Sequence, residues 1–319
     1  MKTTAKRIFY ALVLIGTIIA IVIGFQAYKL YQLKVVTIDA ELKEISGIEF
    51  DKYQRLWAIN DGGDGPYIYH VQRDGSIKRK IAISNAINND WEDMTQNDFG
   101  HFFIGDFGNN EKKRDWLTIY KIENPIDIKT DETEAEIIKF AYPTSLPEEA
   151  GEGKNFDVEA FVYYKRKLYL FTKNRTQPFD GQTHILTIGD HASNYQANYV
   201  SSFTSCTSFK MSCWITSAAL SPDRKKLVLL DSSRLWLFEN WQGDDFFSGD
   251  AYRINLGAIT QKESVTFFDD NTVVFTDEEF KQIGRNAYVV KLDQIEKTLV
   301  YSRRDKTKAA EADTSPTKP

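Results

Sequence analysis

A pattern that recurs five times constrains this chain more than any other feature. At intervals of roughly 45 to 67 residues, a short polar-then-apolar segment is followed by a turn and a second apolar segment that ends on a polar residue. The openings are ISGIEF (45–50), WEDMTQ (91–96), VEAFVY (158–163), TSAALS (216–221) and KESVTF (262–267). Their partners are LWAIN (56–60), FFIGD (102–106), LYLFT (168–172), LVLLD (227–231) and VVFTD (273–277). Ser46 to Asn60, Glu92 to Asp106, Ser217 to Asp231 and Glu263 to Asp277 are each 14 residues apart, and Glu159 to Thr172 is 13. Third strands follow at 67–71, 117–122, 184–188, 234–238 and 287–292, and outer strands at 77–83, 135–142, 198–203 and 252–257. Four short strands per unit are the signature of a propeller blade, so the pattern predicts an all-β fold, a β-propeller of four-stranded blades over 35–302. We count five blades, and a sixth stays open because the stretches 124–134 and 143–155 are long enough to hold strands.

The fifth unit needs an outer strand. KVVTIDAELKEISG (34–47) lines up with YRINLGAITQKES (252–264), an outer strand running into the next opening. Residues 35–40 are therefore expected to complete the last blade, closing the ring with strands from both ends of the chain and removing an exposed edge. LVYS (299–302) is the rival for that place.

Before the repeats, Lys2, Lys6 and Arg7 precede an uncharged run from Ile8 to Ala27, long enough to cross a bilayer as a transmembrane helix. The run exceeds the apolar region of a cleaved signal peptide and offers only Ala27 as a weak cleavage position, so an uncleaved signal-anchor is expected. Three basic residues before it, against Lys29 and Lys34 after it, place residues 1–7 in the cytoplasm. The chain then reads as a single-pass membrane protein with a linker at 28–34, a periplasmic or extracellular propeller, and a disordered tail at 303–319 that lacks apolar residues. The two cysteines, Cys206 and Cys213, are spaced either for a local disulfide of an oxidising compartment or as two unrelated thiols, and their spacing excludes a CxxC zinc or redox motif. A formal net charge of -5 with no mid-chain basic cluster excludes nucleic acid as a partner.

In a propeller the first strand of each blade lines the central channel. Here that column reads Ser46, Glu92, Glu159, Ser217 and Glu263, followed by Gly47, Asp93, Ala160, Ala218 and Ser264, with Asp90 and Asp157 just ahead. Carboxylates crowded in a half-buried funnel raise one another's pKa and call for a compensating cation. Oxygen donors suit calcium. The alternatives are a structural polar ring paired with Lys173 and Arg175, and a catalytic acid/base pair. The four histidines lack the spacing of a zinc or iron site, and no G-x-S-x-G is present. GDFGNN (105–110) and NDGGDG (60–65) read first as hairpin turns. Candidate ligand contacts are Trp91, Asp93, Asn109, Lys173 and Arg175.

The units ISGIEFDKYQRLWAIND, DWEDMTQ with FFIGDFGNN, and FDVEAFVYYKRKLYLFTKN resemble the SdiA-regulated (YjiK-like) propeller family and, more loosely, phytase-like esterase propellers, over roughly residues 42–301. The resemblance implies an extracytoplasmic propeller that binds calcium, with Glu92, Asp106, Glu159, Glu263 and Asp277 as the metal ligands. Ser46 and Ser217 depart from the acidic pattern, and only Lys173 and Arg175 are placed for phosphate handling. The expected function is a binding or interaction module with a divalent cation at an acidic mouth and an envelope protein or small ligand as partner. The alternative is a metal-dependent phosphoesterase or lactonase-like hydrolase using the same carboxylates. A third reading is a structural subunit, the disc serving as a docking surface in an envelope complex.

Overall fold

The computed structural model describes residues 2–144, 157–207 and 209–303. It shows five blades. Their inner strands are Ile45–Phe50, Trp91–Gln96, Val158–Tyr164, Ile215–Leu220 and Lys262–Phe267. Each meets the inner strand of the next blade, and the first meets the fifth, so the ring closes on itself. All five are almost wholly buried, polar residues included, because blades stack face to face around the channel.

One apolar cluster fills each interface between neighbouring blades, five in all. Between blades three and four, for example, Phe203 packs edge-on against Trp236 and Phe238 at 5.2 and 5.1 Å between ring centres.

The last blade is completed from the other end of the chain, as the sequence predicts. Lys34–Thr37 pairs antiparallel with Asn286–Lys291, and the Ile38 amide donates to the Arg285 carbonyl at 2.6 Å. The turn of blade one locks this strand in place. Gly75, at φ +85°, donates no side chain, and a Cβ there would sit 2.2 Å from the Thr37 carbonyl oxygen. The rival segment goes elsewhere: Thr298–Tyr301 adds a fifth strand to blade four, pairing with Asp250–Asn255. Within 124–134 the only strand is Glu132–Thr133, a parallel edge on blade one rather than part of a sixth blade. The stretch 145–156 and the tail from 304 lie outside the described residues.

The N-terminal helix, α1 (Lys2–Leu33), runs past the expected end of the apolar span. The residues read as a linker are helical up to Leu33, because they have a surface to pack on. Leu30 and Leu33 fit the cluster between blades four and five, against residues such as Ile254, Leu256 and Leu292. The Ala258 amide donates to the Gln26 carbonyl at 3.0 Å.

Candidate functional site

Every inner strand carries the same irregularity. Its register against the second strand shifts after the first residue, at Ile45/Gly47, Trp91/Asp93, Val158/Ala160, Ile215/Ser217 and Lys262/Ser264. A bulge re-aims the skipped side chain, here toward the mouth of the channel. The skipped residues are Ser46, Glu92, Glu159, Thr216 and Glu263. Blade four is therefore one residue out of the register read from the sequence: Thr216, not Ser217, is the counterpart of the glutamates. Ser217 instead aligns with Asp93.

The three glutamates gather around Lys173, with Arg175 beside it. Lys173, just past the second strand of blade three, places its Nζ 2.9 Å from Glu159 Oε2, and Arg175 Nη2 lies 3.4 Å from Glu159 Oε1. Burial opposes the charge on Lys173, but Glu159, Glu263 and Glu92 outweigh it and hold the ammonium above its usual range. The same burial raises Glu92, Glu159 and Glu263 against the pull of that lysine. Arg175 Nε also pairs with the fully buried Asp157 at 2.5 Å.

Trp214 roofs the cluster, with Arg175 4.7 Å and Lys173 5.3 Å from its ring centre.

A second group sits beside the first. Asp61, Asp90 and Glu92 each offer a carboxylate oxygen within 4.8 Å of the others. Burial, then the charge of Asp90, pushes Asp61 up to about 7, and burial raises Asp90 as well. Gly108 forms the wall: a Cβ there would stand 2.2 Å from Glu92 Oε1 and 2.3 Å from Asp90 Oδ2. Asp61 belongs to NDGGDG and Gly108 to GDFGNN, the two stretches read as hairpins. Both are turns, and both also build this cradle. The glycine and acid content of those loops was the available signal.

Asp106 and Asp277 do not join either group. Asp106 is buried against Arg114 at 3.0 Å and accepts from the Asn89 side chain and the Asp90 amide. Asp277 accepts from the Asn286 amide and the Tyr288 hydroxyl, at 2.9 and 2.7 Å. Asp231 does the same for Trp236 Nε1 and Arg234. The acid that ends these second strands locks them to the segment that follows, so its charge is already satisfied.

The other expected contacts are also structural. Trp91 is fully buried and donates Nε1 to the Ile87 carbonyl. Asn109 is held by Arg114 and by Asp157, which accepts its amide hydrogen. Asp93 is fully buried in the channel and ties three blades together. It accepts from the Met94 and Phe161 amides, the Ala218 amide and the Ser217 hydroxyl. Ser217 in turn accepts from the Val265 amide at 3.0 Å, which extends the tie to blade five.

Next to Lys173 and Glu263 opens a cavity of about 650 Å³ between the loops of blades three, four and five. Trp214, Phe209 and Met211 form one wall, and Phe280 and Ile283 another. Burial and the nearby Glu263 push Glu278, on its floor, up to about 8.

The first wall is carried by the loop that the Cys206–Cys213 disulfide closes. Opening that loop with Cys206→Ser and Cys213→Ser is expected to lower stability by about 2.5 kcal/mol on loop-entropy grounds. Thermal melts with and without reductant check this, and an unchanged midpoint would show that the loop is held by packing alone.

No family model and no curated protein matches this chain. Solved structures do. The gluconolactonase XC5397 from Xanthomonas campestris aligns with a TM-score of 0.44 and 12% identity, covering 80% of this chain and 73% of that one. A virginiamycin B lyase from Staphylococcus aureus, solved with quinupristin, aligns with a TM-score of 0.39 and 12% identity, covering 78% of this chain and 67% of that one. At such identities and scores these likenesses assign no chemistry to the mouth.

Proposed function

We propose that this chain is a membrane-anchored binding module, held by α1, whose propeller binds one divalent cation at Asp61, Asp90 and Glu92 and a small ligand in the adjoining cavity. The observation that carries the reading is the cradle itself: three carboxylates within 4.8 Å of one another, with Gly108 leaving room beside them. Among the described residues no lysine or arginine nitrogen is recorded within 4.0 Å of any of the three. Lys173 compensates the glutamate cluster but leaves this side acidic. An all-oxygen donor set favours calcium, whose coordination number and geometry are flexible.

Calorimetry on the full chain in detergent tests the site with calcium alone. Asp61→Asn and Asp90→Asn are each expected to weaken binding by at least the ~10-fold that even an outer-shell loss costs a metal site. Gly108→Ala acts in the same direction by filling the cradle. Because Asp61 titrates near 7, binding must release its proton. Affinity should therefore rise from roughly pH 6 to 8, with the heat depending on buffer ionisation enthalpy. No heat, together with no thermal shift on adding calcium or EDTA, would remove the cation from this account.

Glu278 favours a second reading, a metal-dependent ester or phosphoester hydrolase. A carboxyl raised to about 8 beside a cavity is largely protonated near neutrality and is poised to give its proton to a leaving group. A bound cation would polarise the substrate oxygen. Turnover of a lactone or phosphoester panel that Glu278→Gln abolishes without unfolding would favour this reading over simple binding.

A further inference from the structure

The mouth of the propeller is rimmed by apolar side chains that remain exposed among the described residues. Ile283 is 75% exposed, Phe209 63%, Ile259 61%, Phe280 57% and Met211 52%. All five lie on loops at the end of the disc that carries the carboxylates. Lys210 and Lys281, both exposed, stand next to Phe209 and Phe280. At the opposite end the turns carry many charges, with Lys52, Asp74, Asp98, Asp223, Lys225 and Asp270 among them, and their exposed aromatics, Tyr53 and Phe99, stand apart on different blades.

The direction of α1 says what lies over that rim. Lys34, just after the helix, pairs with Tyr288 part-way down blade five, below the mouth. Gln26, eight residues earlier, accepts from Ala258 in a mouth loop, and Gly257 has no room for a Cβ because Gln26 and Leu30 lie against it. The helix thus climbs toward the mouth as it is followed back from Leu33, and at 1.5 Å per residue the roughly 20 residues before Gln26 reach about 30 Å beyond it. Ile259 is two residues from Gly257, on the loop the helix touches. That loop is held rigid by Lys262 Nζ, which donates to the Ala258 carbonyl and the Thr260 hydroxyl at 2.7 and 3.0 Å.

We propose that the mouth of the propeller faces the bilayer that α1 spans, and that its rim dips into the lipid interface so that the cavity opens onto the membrane. This rests on the reading of α1 as a membrane anchor. Exposed aromatic and aliphatic side chains flanked by lysines are the composition of an interfacial contact, the apolar groups entering the headgroup boundary and the ammonium groups meeting phosphates. A ligand reaching Lys173 and Glu263 through such an opening is an amphiphile, its polar end at the ionic floor and its apolar part along Phe209 and Ile283.

Depth-dependent quenching on the full chain tests the orientation. Ile283→Cys, on the rim, and Phe99→Cys, exposed on a turn at the opposite end, are each labelled with a thiol-reactive fluorophore. Each is reconstituted in phosphatidylcholine vesicles with and without doxyl-labelled phosphatidylcholine. We expect quenching at 283 severalfold stronger than at 99. Equal quenching, or stronger quenching at 99, would overturn the orientation while leaving the anchor in place. No quenching at either position, with the protein failing to float with vesicles, would overturn the anchor and the orientation together.

Discussion

Asp93→Ala should be among the most destabilising single substitutions in the propeller, costing about 3–5 kcal/mol. The carboxylate is fully buried and receives hydrogen bonds from Met94, Phe161, Ser217 and Ala218. Truncation removes the acceptor of the Met94, Phe161 and Ala218 amides, and each buried donor left unsatisfied costs about 1–3 kcal/mol. A midpoint lowered by roughly 10 °C in thermal melts is the expected readout. Asp93→Asn keeps the shape but turns a donor toward donors, so it should recover only part of the loss. A change under about 1 kcal/mol in Asp93→Ala would mean that blade packing alone holds the channel.

Lys173→Met should be comparably severe, because removing one partner of a buried ionic cluster costs about 3–5 kcal/mol when the other charges remain. Glu92, Glu159 and Glu263 would then face one another with Arg175, near Glu159 and acting on Glu263, as the remaining cation among the described residues. The dependence on pH gives the effect its signature. These carboxyls are raised by burial, so the folded state holds protons that the unfolded chain has released. Stability from them falls as pH rises above the ordinary carboxylate range toward their raised values. Without the lysine that fall must steepen. The gap between wild type and Lys173→Met should be narrow at acidic pH and widen toward pH 8, measured as the difference in denaturant midpoints. A gap independent of pH would show that the lysine acts by packing and not by charge.

The architecture was legible because a blade repeats both a pattern and a phase, and the same constancy identified the strand that closes the ring. The site was legible only in part. Columns in a repeat give the level of a residue along its strand, but the bulge decides which neighbour points into the mouth. Glu92, Glu159 and Glu263 were therefore found, whereas Trp91 and Asp93, one position either side of Glu92, turned out to be buried structural groups. Thr216 was missed because blade four carries one more residue between bulge and lock than blades one, two and five, and two more than blade three. Asp106 and Asp277 share the acidity of the column but not its role, since a carboxylate that caps the next segment looks the same in sequence as one facing a ligand. Asp61 lay in a loop, where no periodicity reports direction. The C-terminal turns of α1 kept their helical form because they dock on the propeller, a contact between segments more than 200 residues apart that no local pattern shows.

Closure of the ring by the strand that directly follows α1 also sets an order of events. Thr37 is bonded to Asn286, 249 residues away. During synthesis at about 5–20 residues per second, that strand waits roughly 12 to 50 s before its partner exists. With α1 in the bilayer, as proposed above, the strand is tethered beside that surface throughout the interval, which confines the search for it to a thin shell. Once the blade closes, α1 and the ring become mechanically continuous. A pull on the helix is then borne in shear by a four-residue strand and its hydrogen bonds, so this blade is the one expected to yield first under load.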